Sequence, residues 1–207
     1  MKYISTRGQQ VPYGNEQGLL GYEDVLLSGL ARDGGLYLPV NYPEFTPDEI
    51  RAMAGLSYPE LAGRIMARFT DGEVDEGELT AMARDAYSGF TDEAVAPLRH
   101  LSGDIHVLEL FHGPTIAFKD YAMQFLSRAF DRALQGAGRA AVILGATSGD
   151  TGSAALEAFQ GRDAVDIFIL FPDGRVSPVQ QRQMTSVDAD GAHAVAVTGD
   201  FDDCQAI

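Results

Sequence analysis

The sequence of 207 residues holds a single cysteine, Cys204. An intrachain disulfide is therefore impossible, which fits a reducing cytoplasm. Basic residues are scarce: 15 Lys and Arg stand against 30 Asp and Glu, a formal net charge of −15. Such a surface repels phosphate backbones and anionic lipid, so neither nucleic acid nor a membrane is an expected partner. An anionic substrate would need a local pocket of donors working against the global field. Long apolar runs are also missing: the longest are about eight residues, against the ~20 that span a bilayer. Residues Met1 to Arg7 carry no apolar signal core. A cysteine–histidine cluster is absent, so no zinc site is expected. There is no G-x-S-x-G hydrolase elbow, no P-loop and no dinucleotide G-x-G-x-x-G. Repeats and low-complexity segments are absent too. A cytoplasmic globular chain is expected.

What is present divides at about Pro97. Residues 1–97 predict a mainly helical region. Helical periodicity over Tyr22 to Ala31 stops at Asp33-Gly34-Gly35, and Leu36-Tyr37-Leu38-Pro39 follows as an extended piece. Thr46-Pro47-Asp48-Glu49 and Ser57-Tyr58-Pro59-Glu60 are capping boxes with proline in the first turn, predicting helices over 47–55 and 58–69. A third helix is predicted from Glu76 to Tyr87. Residues 98–207 alternate strand and helix patterns. Strands are predicted at Ile105–Phe111, Ala140–Leu144, Val165–Phe171 and Ala192–Val197. Helices are predicted over Asp120–Leu134, Ser153–Gln160 and Val179–Ser186, with Phe201–Ile207 resembling the opening of another. The second strand, which lacks alternation, reads as buried on both faces. This is the pattern of an α/β parallel sheet with flanking helices, in which ligands bind at the carboxyl ends of strands. Both distinctive turns, 112–119 and 145–152, are expected there.

The first turn is His112-Gly113-Pro114-Thr115-Ile116-Ala117-Phe118-Lys119-Asp120. A lysine amine is protonated at neutral pH and a poor nucleophile. Apolar neighbours and the positive end of a helix dipole favour its neutral form, which suits imine formation with an aldehyde. On position alone Lys119 reads equally well as a surface lysine at a helix start. His112 is the one histidine expected near the site; His106 and His193 read as structural. The second turn, Gly145-Ala146-Thr147-Ser148-Gly149-Asp150-Thr151-Gly152, brings backbone N–H groups and three hydroxyls to a helix N-terminus. That is an anion site, or a plain N-cap supplied by Ser148, Asp150 or Thr151. The third segment, Phe171-Pro172-Asp173-Gly174-Arg175-Val176-Ser177-Pro178, offers Arg175 as a bidentate phosphate grip or as a solvated turn residue.

Taken with Asp33-Gly34-Gly35-Leu36-Tyr37-Leu38-Pro39 and Gly199-Asp200-Phe201-Asp202-Asp203-Cys204-Gln205-Ala206, these segments resemble the bacterial-type threonine synthases along the whole chain. Those enzymes depend on pyridoxal 5′-phosphate (PLP). The resemblance implies PLP fold type II and a reaction that turns O-phospho-L-homoserine and water into L-threonine and phosphate. It implies that Lys119 joins PLP as the internal aldimine and later carries the proton. It places Thr147, Ser148, Asp150 and Thr151 toward the substrate carboxylate and the cofactor's 3′-oxygen. Asp150 would be protonated, turned away, or capping the helix there. Arg175 and Ser177 become candidates for gripping the substrate phosphate. Family members are roughly twice as long, with the cofactor-phosphate loop and the pyridine-nitrogen partner beyond position 207. The chain is thus expected to be an N-terminal portion that binds PLP weakly and has little or no activity alone. A phospholyase using the same lysine, or a cofactor-free truncated module, are the alternatives.

Overall fold

The computed structural model describes residues 1–8 and 19–207. The chain divides into two compact units, Met1–Asp85 and Ala86–Ile207.

In the first unit, β1 (Tyr3–Ser5) pairs antiparallel with β2 (Tyr37–Pro39). Asp33 ties the pair from outside the ladder: its carboxylate accepts from the Ser5 hydroxyl at 2.7 Å and from the Gly35 N–H at 2.9 Å. The described residues add the helices α1 (Tyr22–Ser28), α2 (Pro47–Ala52), α3 (Tyr58–Thr70) and α4 (Glu76–Ala86). Both predicted capping boxes form. Glu49 returns its carboxylate to the Thr46 N–H at 2.8 Å, and Glu60 to the Ser57 N–H at 2.9 Å. These bonds hold both carboxyls below their ordinary range, with the Thr46 N–H the largest cause at Glu49 and the Ser57 hydroxyl at Glu60. Gly63 of α3 lies against Thr80 of α4 so closely that an added Cβ would sit 3.0 Å from the Thr80 Cα. Leu79 and Ala83 of α4 are wholly buried.

The second unit opens with a hairpin that differs from the expected strand. Ile105–Phe111 does not join the parallel sheet. Only β4 (Ile105–Leu108) is extended, and it pairs antiparallel with β3 (Leu98–Ser102). The cause is local. Ser102 pairs with Ile105 across Gly103-Asp104, and Gly103 has φ +53, the positive value a two-residue hairpin needs at its first central position. A chain folded back this tightly is paired before it can reach another sheet.

Next come α5 (Asp120–Gly136), β5 (Ala141–Ala146), α6 (Asp150–Phe159), β6 (Val165–Pro172), α7 (Pro178–Thr185), β7 (Ala192–Val197) and α8 (Phe201–Ala206). The three strands form a parallel sheet in the order β5-β6-β7. Val165, Ile167, Ile169 and Phe171 alternate along β6 and bury one face with Ala154, Leu156 and Phe159 of α6. β5 is not buried on both faces as its composition suggested. Among the described residues it is an edge strand, and Val142 (67% exposed) and Leu144 (62%) lie on the face opposite the one that carries Ile167. Composition reports that a residue can be buried, whereas burial itself needs a layer above it. Among the described residues no helix is long and apolar enough to cross a membrane.

Candidate active site

Lys119 is the N-cap of α5, with helical φ and ψ of −66° and −20°. Its Nζ lies 4.8 Å from the centroid of the Phe118 ring. Among the described residues the surround of the amine is open rather than dry: Ile116 is 64% exposed and Phe118 59%. Ile116 has φ +67, a left-handed conformation unusual for a β-branched residue. Ile116 and Phe118 thus stand open to solvent, with the Phe118 ring beside the amine.

What holds the turn is Asp120, which the sequence reading passed over as a site residue. It has no exposed surface. Its carboxylate accepts the Thr115 N–H at 2.8 Å and the Thr115 hydroxyl at 2.6 Å. Gly113 backs onto it: a Cβ there would lie 2.5 Å from the Asp120 Cβ. Burial raises the Asp120 carboxyl above its ordinary range, and the hydrogen bonds from Thr115 and the Ile116 N–H offset part of that rise. The legible signal was an acid at the first helical position, five residues after a threonine. Ahead of the turn, His112 is held on both ring nitrogens. Nε2 lies 2.9 Å from Glu109 Oε2 and Nδ1 3.2 Å from the Thr91 hydroxyl. Glu109 in turn faces Arg99, which also pairs with Asp92 at 2.8 Å.

In the second turn, Thr147 faces inward. It is 1% exposed, and its hydroxyl accepts the N–H groups of Gly149 at 3.0 Å and Gly152 at 2.8 Å. That hydroxyl shapes the loop and opens α6, which starts at Asp150, three residues earlier than expected. Ser148 and Asp150 are exposed and Thr151 is half-buried. The first N–H groups of α6 have no partner within the helix. Gly149 has φ +146, open in practice to glycine alone, and a Cβ there would strike the Gln180 amide. Gln180 donates its Nε2 to the Asp150 carboxylate. Of the three arrangements open to Asp150, the side chain is therefore turned toward α7.

In the third segment Arg175 is exposed on the loop between β6 and α7 and forms no salt bridge among the described residues. Ser177 is the N-cap of α7. Its hydroxyl accepts the Gln180 N–H at 3.2 Å, so it is committed to the helix. The structure joins the three segments through α7. Gln180 reaches Asp150, and Gln183 donates to the Thr115 carbonyl at 3.0 Å. His193 stacks on Phe168, centroids 4.5 Å apart, and His106 packs edge-on to His100. No group of acidic, histidine or cysteine side chains suited to a metal occurs among the described residues.

The family profile described as "Threonine synthase N terminus" matches residues 2–87. A threonine synthase of Pseudomonas aeruginosa is 53% identical over 99% of this chain and 42% of its own length. The chain belongs to the threonine synthase family. The threonine synthase of Schizosaccharomyces pombe is 41% identical over 99% of the chain and 40% of its own length. Among solved structures, a PLP-bound threonine synthase from Brucella melitensis is 56% identical, with a TM-score of 0.93 over 100% of this chain and 43% of that one. Threonine synthase from yeast superposes with a TM-score of 0.90 at 38% identity, over 99% of this chain and 42% of that one. The chain thus spans about two-fifths of the length of the relatives it matches and corresponds to their N-terminal part, within PLP fold type II.

Proposed function

We propose that this chain supplies the lysine and the anion-holding turns of an enzyme that converts O-phospho-L-homoserine and water to L-threonine and phosphate. Its two regions would be the family's N-terminal region, residues 1–97, and the start of the PLP-binding α/β domain, residues 98–207. The observation that carries this reading is the bonded frame around the lysine turn. Asp120 holds Thr115, and Thr115 is bonded to the same helix that holds Asp150.

The residues fit PLP in kind. Lys119 presents a primary amine at the start of a helix. The N-terminus of α6, the exposed Ser148 hydroxyl and the half-buried Thr151 hydroxyl suit a carboxylate. Arg175 suits a phosphate. Bound PLP would supply the electron sink for breaking the Cγ–O bond. Lys119 Nζ would receive and return the protons moved between substrate carbons. Ser148 and Thr151 would orient the substrate carboxylate, and Arg175 would take the departing phosphate. Thr147 and Ser177, proposed from sequence as direct ligands, would serve by building the loops that carry the others. Asp150, held by Gln180, would keep its charge directed to an amide donor rather than to an oxyanion.

The chain carries two lysines, Lys2 and Lys119. Incubating the intact protein with PLP, reducing with borohydride and mapping the peptides is therefore a clean test. The reading requires the label on Lys119, lost in Lys119→Ala. A label confined to Lys2 would sink it. Product analysis with O-phospho-L-homoserine then separates threonine from the keto acid that a phospholyase would release.

A further inference from the structure

Two side chains of α7 tie together the turns of that reading. Gln180 and Gln183 are three residues apart, so both leave the same side of the helix. Each makes a hydrogen bond far along the chain. Gln180 donates to the Asp150 carboxylate, 30 residues away, and Gln183 to the Thr115 carbonyl, 68 residues away. The helix between them is anchored: Met184 is 1% exposed, and the Ser177–Gln180 capping box closes its first turn.

Residue type matters at both positions. The Gln180 amide donates to Asp150 while its oxygen accepts the Ser177 N–H at 3.3 Å. A planar amide of this length offers a donor and an acceptor together; a carboxylate there would face the Asp150 carboxylate without a proton between them. Gln183 must donate to a carbonyl, which a carboxylate cannot do. The receiving carbonyl belongs to Thr115, whose N–H and hydroxyl are both bound to Asp120. All three polar groups of Thr115 are thus engaged, and Asp120 is the residue after Lys119.

We propose that Gln180 and Gln183 are positioning residues, and that α7 is a strut coupling the 147–152 turn to the presentation of the Lys119 amine. This rests on the role of Lys119 proposed above. A displacement of Asp150 on anion binding would pass along α7 to Thr115, and so to the start of α5.

The test measures the initial rate of borohydride-trapped PLP label on Lys119 in the intact protein, with the label on Lys2 as internal reference. Gln183→Met and Gln183→Glu each remove the donor and are expected to slow Lys119 labelling about fivefold, the weight of one hydrogen bond. The rate at Lys2 should not change. Gln180→Met, which touches the other turn, should also slow Lys119, and the Gln180→Met/Gln183→Met double variant should be no slower than the slower single one. Unchanged Lys119 labelling in both Gln183 variants would overturn the proposal, as would strictly multiplicative effects in the double variant. Loss of the folded far-ultraviolet spectrum in both Gln183 variants would also overturn it, because the bonds would then serve the fold alone. Label absent from Lys119 in the unsubstituted protein is a different result, which removes the functional reading itself.

Discussion

Thr115→Val is the substitution that probes the lysine turn most directly. Valine keeps the shape of threonine but removes the hydroxyl that donates to Asp120 at 2.6 Å. The Thr115 N–H, at 2.8 Å from the other carboxylate oxygen, remains. Asp120 has no exposed surface, so water cannot replace the lost donor without the turn opening. A hydrogen bond to a charged group contributes ~1.5–3 kcal/mol, and the buried acceptor left behind places the cost toward the upper part of that range. The effect should depend on pH. Asp120 has its folded carboxyl raised above the unfolded value, chiefly by burial. Its favourable share of stability is complete below the ordinary aspartate range and is lost as pH rises through the raised value. Removing the Thr115 hydroxyl removes an interaction that holds that value down, so ionisation becomes costlier still. The gap between wild type and Thr115→Val should therefore be small in acid and widen toward neutral pH. Urea unfolding followed by circular dichroism, with amide exchange at the start of α5 as the local readout, measures both effects. Destabilisation below ~0.5 kcal/mol at neutral pH, or a gap that narrows as pH rises, would refute the argument.

Gly113→Ala places a methyl 2.5 Å from the Asp120 Cβ and should cost ~1–3 kcal/mol by overpacking, read as a lowered thermal midpoint. Tyr3 is held at a pKa of about 12, first by burial and then by the Tyr22 and Glu73 charges. Its contribution should be present below the ordinary tyrosine value and fade as pH climbs toward 12; absorbance titration of Tyr3→Phe should lack a phenol that ionises near that pH. Ile167→Ala should cost ~2–5 kcal/mol, because Ile167 is wholly buried on the helix-covered face. Val142→Ala, on the open face of the same sheet, should cost far less, and equal losses in chemical denaturation would contradict the assignment of faces.

Short-range chemistry was legible in the residues. The Thr46–Glu49 and Ser57–Glu60 boxes form as written, since each needs only groups three residues apart. The alternation of strands and helices from β5 to β7 was also legible, because side-chain periodicity follows backbone geometry. Where the outcome departed from composition or went beyond it in these segments, a neighbouring turn decided it. The β4 segment has the composition of a sheet strand, yet the Gly103 turn pairs it with its neighbour. The Thr147 hydroxyl also accepts two N–H groups of its own loop, which residue identity alone does not announce.

By itself the sequence determined the family, the lysine at the head of α5 and the turn that opens α6, because these are contiguous motifs whose geometry is set within a few residues. Only the tertiary structure decided that Ile116 and Phe118 face outward and that α7 binds both turns through Gln180 and Gln183. The physical reason is directional. A hydrogen bond depends on where its partner lies in space, and residues 68 positions apart along the chain carry no mark in their identities that they will meet.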